Sequence, residues 1–236
     1  MSNYNSVTPE FIDELKTLLG EKYVKTDADT LDRYKTDEEA DERCFHLPDV
    51  VVIPANAEEI AGVVKLCNKY LIPLTVRGGG TGIVDGAIAD KGGVVLLMER
   101  LNKIIELNKE GLYMVAQAGV RTLDIQAQSI IDYRGWIPSI RWDSCQIGGN
   151  LATNAGGIKA VRYGVTRNQV YAVQIVTPYG DIVDLGSPLK KCSTGYCMEQ
   201  LVIGSERSIV ENINGRQALL ERCAKKIVAE QPRPRR

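Results

Sequence analysis

The stretch best suited to chemistry is Arg77-Gly78-Gly79-Gly80-Thr81-Gly82, a basic side chain leading into four glycines within five positions. Backbone this bare can bring its amides up to an anion, and the arginine at its entrance adds a permanent positive charge. A phosphate is the guest such a loop suits. The dinucleotide fingerprint does not fit: begun at Gly78 it needs glycine where Ile83 stands, and begun at Gly80 it needs glycine where Asp85 stands. The Gly-Lys-Ser/Thr of a P-loop is also missing. A glycine-rich turn without a ligand is the competing reading of the hexapeptide.

A second unusual segment runs Cys145-Gln146-Ile147-Gly148-Gly149-Asn150-Leu151-Ala152-Thr153-Asn154-Ala155-Gly156-Gly157. Its small residues and amide side chains fill a core poorly, and the interspersed Ile147 and Leu151 are foreign to a flexible linker. The two segments are therefore read together.

The elements that must position them follow from hydrophobic pattern. Thr8-Pro9-Glu10 opens a helix that Gly20 stops, with Phe11, Leu15, Leu18 and Leu19 on one face. A short helical piece around Asp29 to Tyr34 runs into acidic Asp37 to Glu42, read as a solvated loop. Val50 to Ile53 is a buried strand, and Asn56 with Glu59 caps a helix reaching Tyr70. Leu74 to Arg77 is a second strand, parallel to the first, so the glycine loop stands at a carboxyl edge. Gly93 to Met98, Ile104 to Leu107 and Tyr113 to Gln117 are further strands, the last two a hairpin across Asn108 to Gly111. A helix over Thr122 to Tyr133 precedes the second glycine segment, and strands Val170 to Val176 and Ile182 to Leu185 follow it.

Composition bounds the partners. The 236 residues are 44% hydrophobic and 25% charged, with a net charge of −1, an ordinary globular balance that asks for no nucleic acid. The N-terminus lacks a leader pattern and no apolar run approaches the roughly 18 residues needed to span a bilayer, so a cytoplasmic protein without a transmembrane segment is expected. Six cysteines form no Cys-x-x-Cys pair and the chain has a single histidine, His46, so no metal site is expected and the thiols are read as free, the close pair Cys192 and Cys197 included.

Taken in order, the motifs resemble the FAD-binding domain of the FAD-linked oxidases, the PCMH-type or vanillyl-alcohol-oxidase superfamily, nearest its branch of glycolate oxidases and D-lactate dehydrogenases. The matching pieces are Val52-Ile53-Pro54, Arg77 to Gly82, Gln117-Ala118-Gly119-Val120, Ile147 to Asn150 with Asn154 to Gly157, Tyr163-Gly164, Thr177 to Gly180 and Ile203-Gly204-Ser205-Glu206. The resemblance implies an α+β, PCMH-type FAD-binding fold in which two small α/β subdomains clasp FAD. Residues 1–45 would be a helical lead-in, 46–206 the FAD-binding domain, and 207–236 a divergent basic tail standing where the family continues into a substrate-binding cap.

By the same resemblance, Arg77, Gly78, Gly79, Gly80, Thr81 and Gly82 would hold the pyrophosphate. Asp143, Ser144, Gly148, Gly149, Asn150, Thr153, Asn154, Ala155, Gly156, Gly157 and Glu206 would line the rest of the cofactor. One loop should not suffice: about four amide contacts at roughly 2 kcal/mol each only match an association cost of about 4 to 15 kcal/mol. Family members that attach flavin covalently use a His near the loop or a Cys ahead of the second segment. Here the loop has no His and Cys145 is read as packing, so non-covalent FAD is expected.

The sequence departs from the family at Arg141-Trp142-Asp143, where only the aspartate transfers, and after Glu206. That second break points to a truncated or frame-shifted reading frame, or to a natural short form. The implied chemistry is hydride transfer from a 2-hydroxy acid such as D-lactate or glycolate to flavin, with a place left for a partner chain that supplies a cap domain or accepts electrons. No residue of the chain is assigned as catalytic base. A flavin-binding fragment without activity of its own, or one completed by a partner chain, is the alternative.

Overall fold

Apolar periodicity and capping residues set the first elements, in a computed structural model that describes residues 4–38, 42–111, 113–132, 144–157, 160–188, 193, 195–206 and 209–216. Helix α1 (Pro9–Leu19) begins where Thr8 Oγ1 accepts the Phe11 amide at 3.3 Å, and it buries Phe11, Leu15 and Leu19. Strand β1 (Val24–Lys25) follows, then α2 (Ala28–Asp32), capped by Asp27. Strand β2 (Val50–Val52) is wholly buried, and Asn56 caps α3 (Ala57–Tyr70) by accepting the Glu59 amide at 2.8 Å. The Glu59 carboxylate takes the Ala55 amide at 2.7 Å, one residue earlier than a standard capping box. Strands β3 (Leu74–Arg77) and β4 (Val94–Leu97) complete the first sheet.

That sheet has the order β1-β2-β4-β3. Strands β2 and β3 run parallel as the sequence implied, but they are not neighbours: β4 lies between them, pairing Val50 with Val94 on one side and Leu74 with Val94 on the other. The reason is burial. All four residues of β4 are buried, as a central strand covered on both faces requires. Strand β1, only two residues long, pairs antiparallel with β2, so the lead-in is built into this sheet rather than standing apart from it.

The second sheet is antiparallel. The hairpin β5 (Ile104–Asn108) and β6 (Tyr113–Gln117) closes with Asn108 Oδ1 accepting the Gly111 amide at 2.6 Å. Helices α4 (Thr122–Asp132), α5 (Ile147–Ala152) and α6 (Ala160–Tyr163) come next, then the hairpin β7 (Val170–Val176) and β8 (Ile182–Gly186), α7 (Glu199–Val202) and β9 (Ile209–Arg216). The order is β5-β6-β9-β7-β8. Strand β9 departs from expectation: the segment past Glu206 reads as divergent in sequence, yet it lies in the middle of this sheet, with Ile213 opposite both Ala116 and Val173.

One hydrophobic cluster runs from Phe11 and Leu15 through Val50, Leu96 and Met114 to Val173, Ile175 and Ile203, so both sheets share a core. A smaller cluster of Val51, Ala89, Val95 and Leu97 covers the other face of the first sheet, with Leu31 and Tyr34 packed against it. Helix α3 joins the halves, Asn68 donating to the Pro178 carbonyl at 2.8 Å. This leaves the carboxyl ends of β3 and β4 facing the loops that surround α5.

Candidate functional site

The first glycine loop leaves β3 at Arg77, and the arginine does not reach outward. It is 8% exposed, its Nη1 donates to the Ala87 carbonyl at 3.3 Å, and its guanidinium lies 5.5 Å from the centre of the Tyr34 ring. Burial pulls its pKa down from the ordinary arginine value, with Asp37, Tyr34 and Glu99 pushing the other way. Gly80 crosses directly over that guanidinium with φ of 65°, and a Cβ there would overlap Nη2. Arg77 is thus placed beneath the loop as a strut, its guanidinium enclosed by Gly80, Ala87 and Tyr34. Thr81 is half-buried and Gly82 exposed, where the chain bends back and the Gly82 carbonyl accepts the Glu38 amide at 3.2 Å.

Arg77→Lys therefore keeps the charge but loses the planar fork that spans Ala87 and Tyr34. FAD affinity should fall about tenfold, equivalent to about 1.4 kcal/mol, in a fluorescence-quenching titration. A point charge offered to phosphate would survive this exchange with little loss.

The second glycine segment is placed by β6. Gly148 packs on the Ala118 side chain and donates to the Ala118 carbonyl at 2.8 Å, while Ile147 donates to Val120 at 3.0 Å. Asn150 is buried, donating to Thr122 Oγ1 at 2.8 Å, and the Cys145 thiol donates to the same hydroxyl at 3.2 Å. These bonds fasten α5 to the start of α4. Beyond the helix, Thr153 Oγ1 donates to Gly149 at 3.1 Å, and Asn154, at φ of 50°, accepts the Arg167 amide at 2.9 Å. Ala155 takes both the Thr166 amide and hydroxyl, Gly156 lies against Val165, and the Gly157 carbonyl accepts from Ala160. Glu206 is exposed at φ of 55°, its amide bonded to the Ala152 carbonyl, so the Gly204 to Glu206 turn closes against the end of α5. Asp143 lies outside the described residues.

The two segments meet. A Cβ on Gly79 would overlap the Ser144 carbonyl oxygen, and one on Gly78 would stand 3.3 Å from Gln146 Oε1 and 3.9 Å from the Gly149 Cα. Ser144 itself is exposed. Stretches 65 residues apart in sequence, Gly79 and Ser144, thus form one seam of bare backbone.

The seam has two marks of a ligand site. Gln146 Oε1 is buried there without a hydrogen-bond partner, a state that ordinarily calls for one. At Gly149, inside α5, no atom beyond its chain neighbours and the helix's own backbone lies within 4 Å of where a Cβ would sit. Alanine would suit that helix better by about 0.5 to 1 kcal/mol, and no neighbouring group outside the helix requires the bare position. Gly149→Ala is accordingly expected to leave the melting temperature unchanged or higher while weakening FAD binding tenfold or more, measured by thermal melts and flavin titration on the same preparation.

The sequence reading named the glycines and not Gln146, whose type carries no signal apart from its place within the second segment. It also gave Asn150 and Asn154 to the cofactor, where the structure engages the side chains with Thr122 and the Arg167 amide. Among the described residues no group of three His, Cys, Asp or Glu side chains is arranged to hold a metal, and no helix is long and apolar enough to cross a membrane.

Known proteins are similar to this chain in sequence and in fold. The D-lactate dehydrogenase of Anaerostipes hadrus is 38% identical over 209 residues, 87% of this chain and 43% of that protein. The D-2-hydroxyglutarate dehydrogenase of Stutzerimonas stutzeri is 39% identical, over 85% of this chain and 43% of its own length. The glycolate oxidase protein GlcD of Bacillus subtilis is 36% identical over 69% of this chain and 35% of its own. The chain thus spans under half the length of these relatives. In fold it is similar to p-cresol methylhydroxylase, with a TM-score of 0.76 at 22% identity over 91% of this chain and 44% of that one. An alkyldihydroxyacetonephosphate synthase structure gives 0.78 at 22% identity, over 92% and 41%. Residues 48–186, more than half of the chain and including both glycine segments, match the FAD binding domain family, and the chain belongs to that family.

Proposed function

We propose that this chain is the FAD-holding part of an oxidoreductase acting on 2-hydroxy acids of the D-lactate or glycolate kind. The observation that carries the cofactor assignment is the seam itself, where Gly78 and Gly79 close on Ser144 to Gly149 and a bare helical position is left open. The substrate class rests on the relatives' activities. Bound FAD would supply the acceptor for the hydride leaving the substrate α-carbon as its hydroxyl becomes a carbonyl.

The chain's own contribution is to bind and orient. The amides of Gly78 to Gly82 would receive the pyrophosphate over the Arg77 strut, and the α5 segment would receive the flavin side of the cofactor. Binding is non-covalent in this reading. Cys145 is 1% exposed with its thiol given to Thr122, and His46 is held by its amide, which donates to the Lys35 carbonyl at 2.9 Å, well before the glycine loop in the chain.

A second reading is that the chain holds flavin without turning over substrate by itself, completed by further residues or a partner chain. It is favoured by coverage, since the chain spans under half the length of the relatives whose activities are named. Anaerobic addition of D-lactate or glycolate to the yellow protein separates the two readings. Bleaching of the visible band by the chain alone establishes the first and ends the second; reduction only once a completing chain is added establishes the second. Acid precipitation should leave the flavin in the supernatant, and a yellow pellet would refute non-covalent binding.

A further inference from the structure

The matched family region begins at residue 48, yet the strut beneath the first glycine loop is held from outside it. Residues 34 to 38 supply that hold. The Tyr34 ring carries the Arg77 guanidinium at 5.5 Å, and its hydroxyl donates to Glu99 at 3.4 Å. Asp37 favours the charged guanidinium electrostatically, and the Glu38 amide ties down the Gly82 carbonyl at 3.2 Å. Leu31 and Tyr34 are themselves anchored on the outer face of the first sheet, against Val51, Ala89, Val95 and Leu97. The same outer cluster thus seats Tyr34 and Ala89, and the Ala87 carbonyl bound by Arg77 lies two residues before Ala89.

A run of glycines samples many conformations when free, and a site made of its amides is useful only when they point together. Here Gly80 rests on the guanidinium, Gly82 is held by Glu38, and the return of the loop is held at Ala87. Each hold depends on the guanidinium or on the segment beside it. A guanidinium over an aromatic face is attracted by the ring, so the Tyr34 ring helps hold in place the guanidinium on which Gly80 lies.

We infer that Tyr34 is a positioning residue for the cofactor: through Arg77 it presets the phosphate-binding conformation of the Gly78 to Gly82 loop, making residues 34 to 38 part of the FAD site although they lie outside the family's matched region. The inference rests on the FAD reading above. Its occupant is a diphosphate-bearing ligand, and Tyr34 acts on it without touching it.

The experiment compares Tyr34→Leu, which removes the ring, with Tyr34→Phe, which keeps it. Amide hydrogen exchange across residues 78–87 is measured on flavin-free protein, together with thermal melts and FAD titration. Tyr34→Leu should speed exchange in that loop at least threefold and weaken FAD binding about five- to tenfold. Tyr34→Phe should restore both to near the unsubstituted values. Unchanged loop exchange in Tyr34→Leu overturns the inference, as does faster exchange with unaltered FAD affinity. Faster exchange spread over the whole chain with a lowered melting temperature also overturns it, because the role is then general stability. If the unsubstituted protein takes up no FAD, the FAD reading fails instead, and the exchange data still report whether Tyr34 sets the loop.

Discussion

Gly79→Ala should cut FAD affinity severely in a protein that still folds. The added methyl has no free direction: it falls on the Ser144 carbonyl oxygen, with the Cys145 Cα 3.4 Å away, and both obstacles are backbone. A flexible side chain could swing aside, but here the seam itself must part. Overpacking of this kind costs about 1 to 3 kcal/mol, which a domain with a core shared by two sheets can bear. Binding suffers more, because the amides on either side of the seam lose their relative placement. The expected loss in FAD affinity is a hundredfold or more, about 3 kcal/mol, with a melting temperature lowered by only a few degrees. The contrast with Gly149→Ala is informative, since that methyl meets no protein atom and should act on the ligand alone.

Removal of everything after Glu206 should have a larger effect on the fold than any substitution. Strand β9 pairs with β6 from Tyr113 to Gln117 and with β7 from Val170 to Val176, so without it the second sheet separates into two hairpins. Roughly ten backbone hydrogen bonds at about 1 kcal/mol each are at stake, comparable with the whole stability of a domain, about 5 to 15 kcal/mol. Isolated two-stranded hairpins are marginal in water. The shortened protein should be insoluble or lack a cooperative melting transition, and its flavin should be lost with the α5 platform that the second sheet supports. A soluble shortened protein melting like the parent would show that β9 is dispensable.

The strands β2 and β4 were legible because Val50 to Val52 and Val94 to Leu97 are unbroken apolar runs, and a strand buried on both faces must read that way. Caps at Thr8 and Asn56 fixed the starts of α1 and α3 from side-chain chemistry within a few residues. Strand β1 was not legible, since two residues carry no period. Helix α5 was hidden for a different reason: Ile147-Gly148-Gly149-Asn150 is a poor helix sequence, and long-range bonds from Gly148 to Ala118 and from Asn150 to Thr122 hold it. Strand β9 contains Asn212, Asn214 and Gly215, types depleted in strands, and it gains its place from partners on both sides.

The site divides the same way. Glycine needs no partner to be noticed, so both segments stood out in the sequence, and the family resemblance paired them. The direction of Arg77 did not, because it depends on Tyr34, Ala87 and Gly80 surrounding the guanidinium, an arrangement drawn from positions up to 53 residues apart. An arginine ahead of glycines reads as an offered charge, and in the folded protein that charge is covered. On the proposed FAD reading, phosphate affinity should therefore owe more to the alignment of the loop amides than to net charge.

Titration of the purified, flavin-stripped protein with FAD tests the central claim most directly, that the two glycine segments form one cofactor site. One FAD per chain is predicted, released by acid, with affinity at least tenfold above that for riboflavin because the Gly78 to Gly82 loop receives the diphosphate. Failure to bind FAD, or equal affinity for FAD and riboflavin, would contradict it.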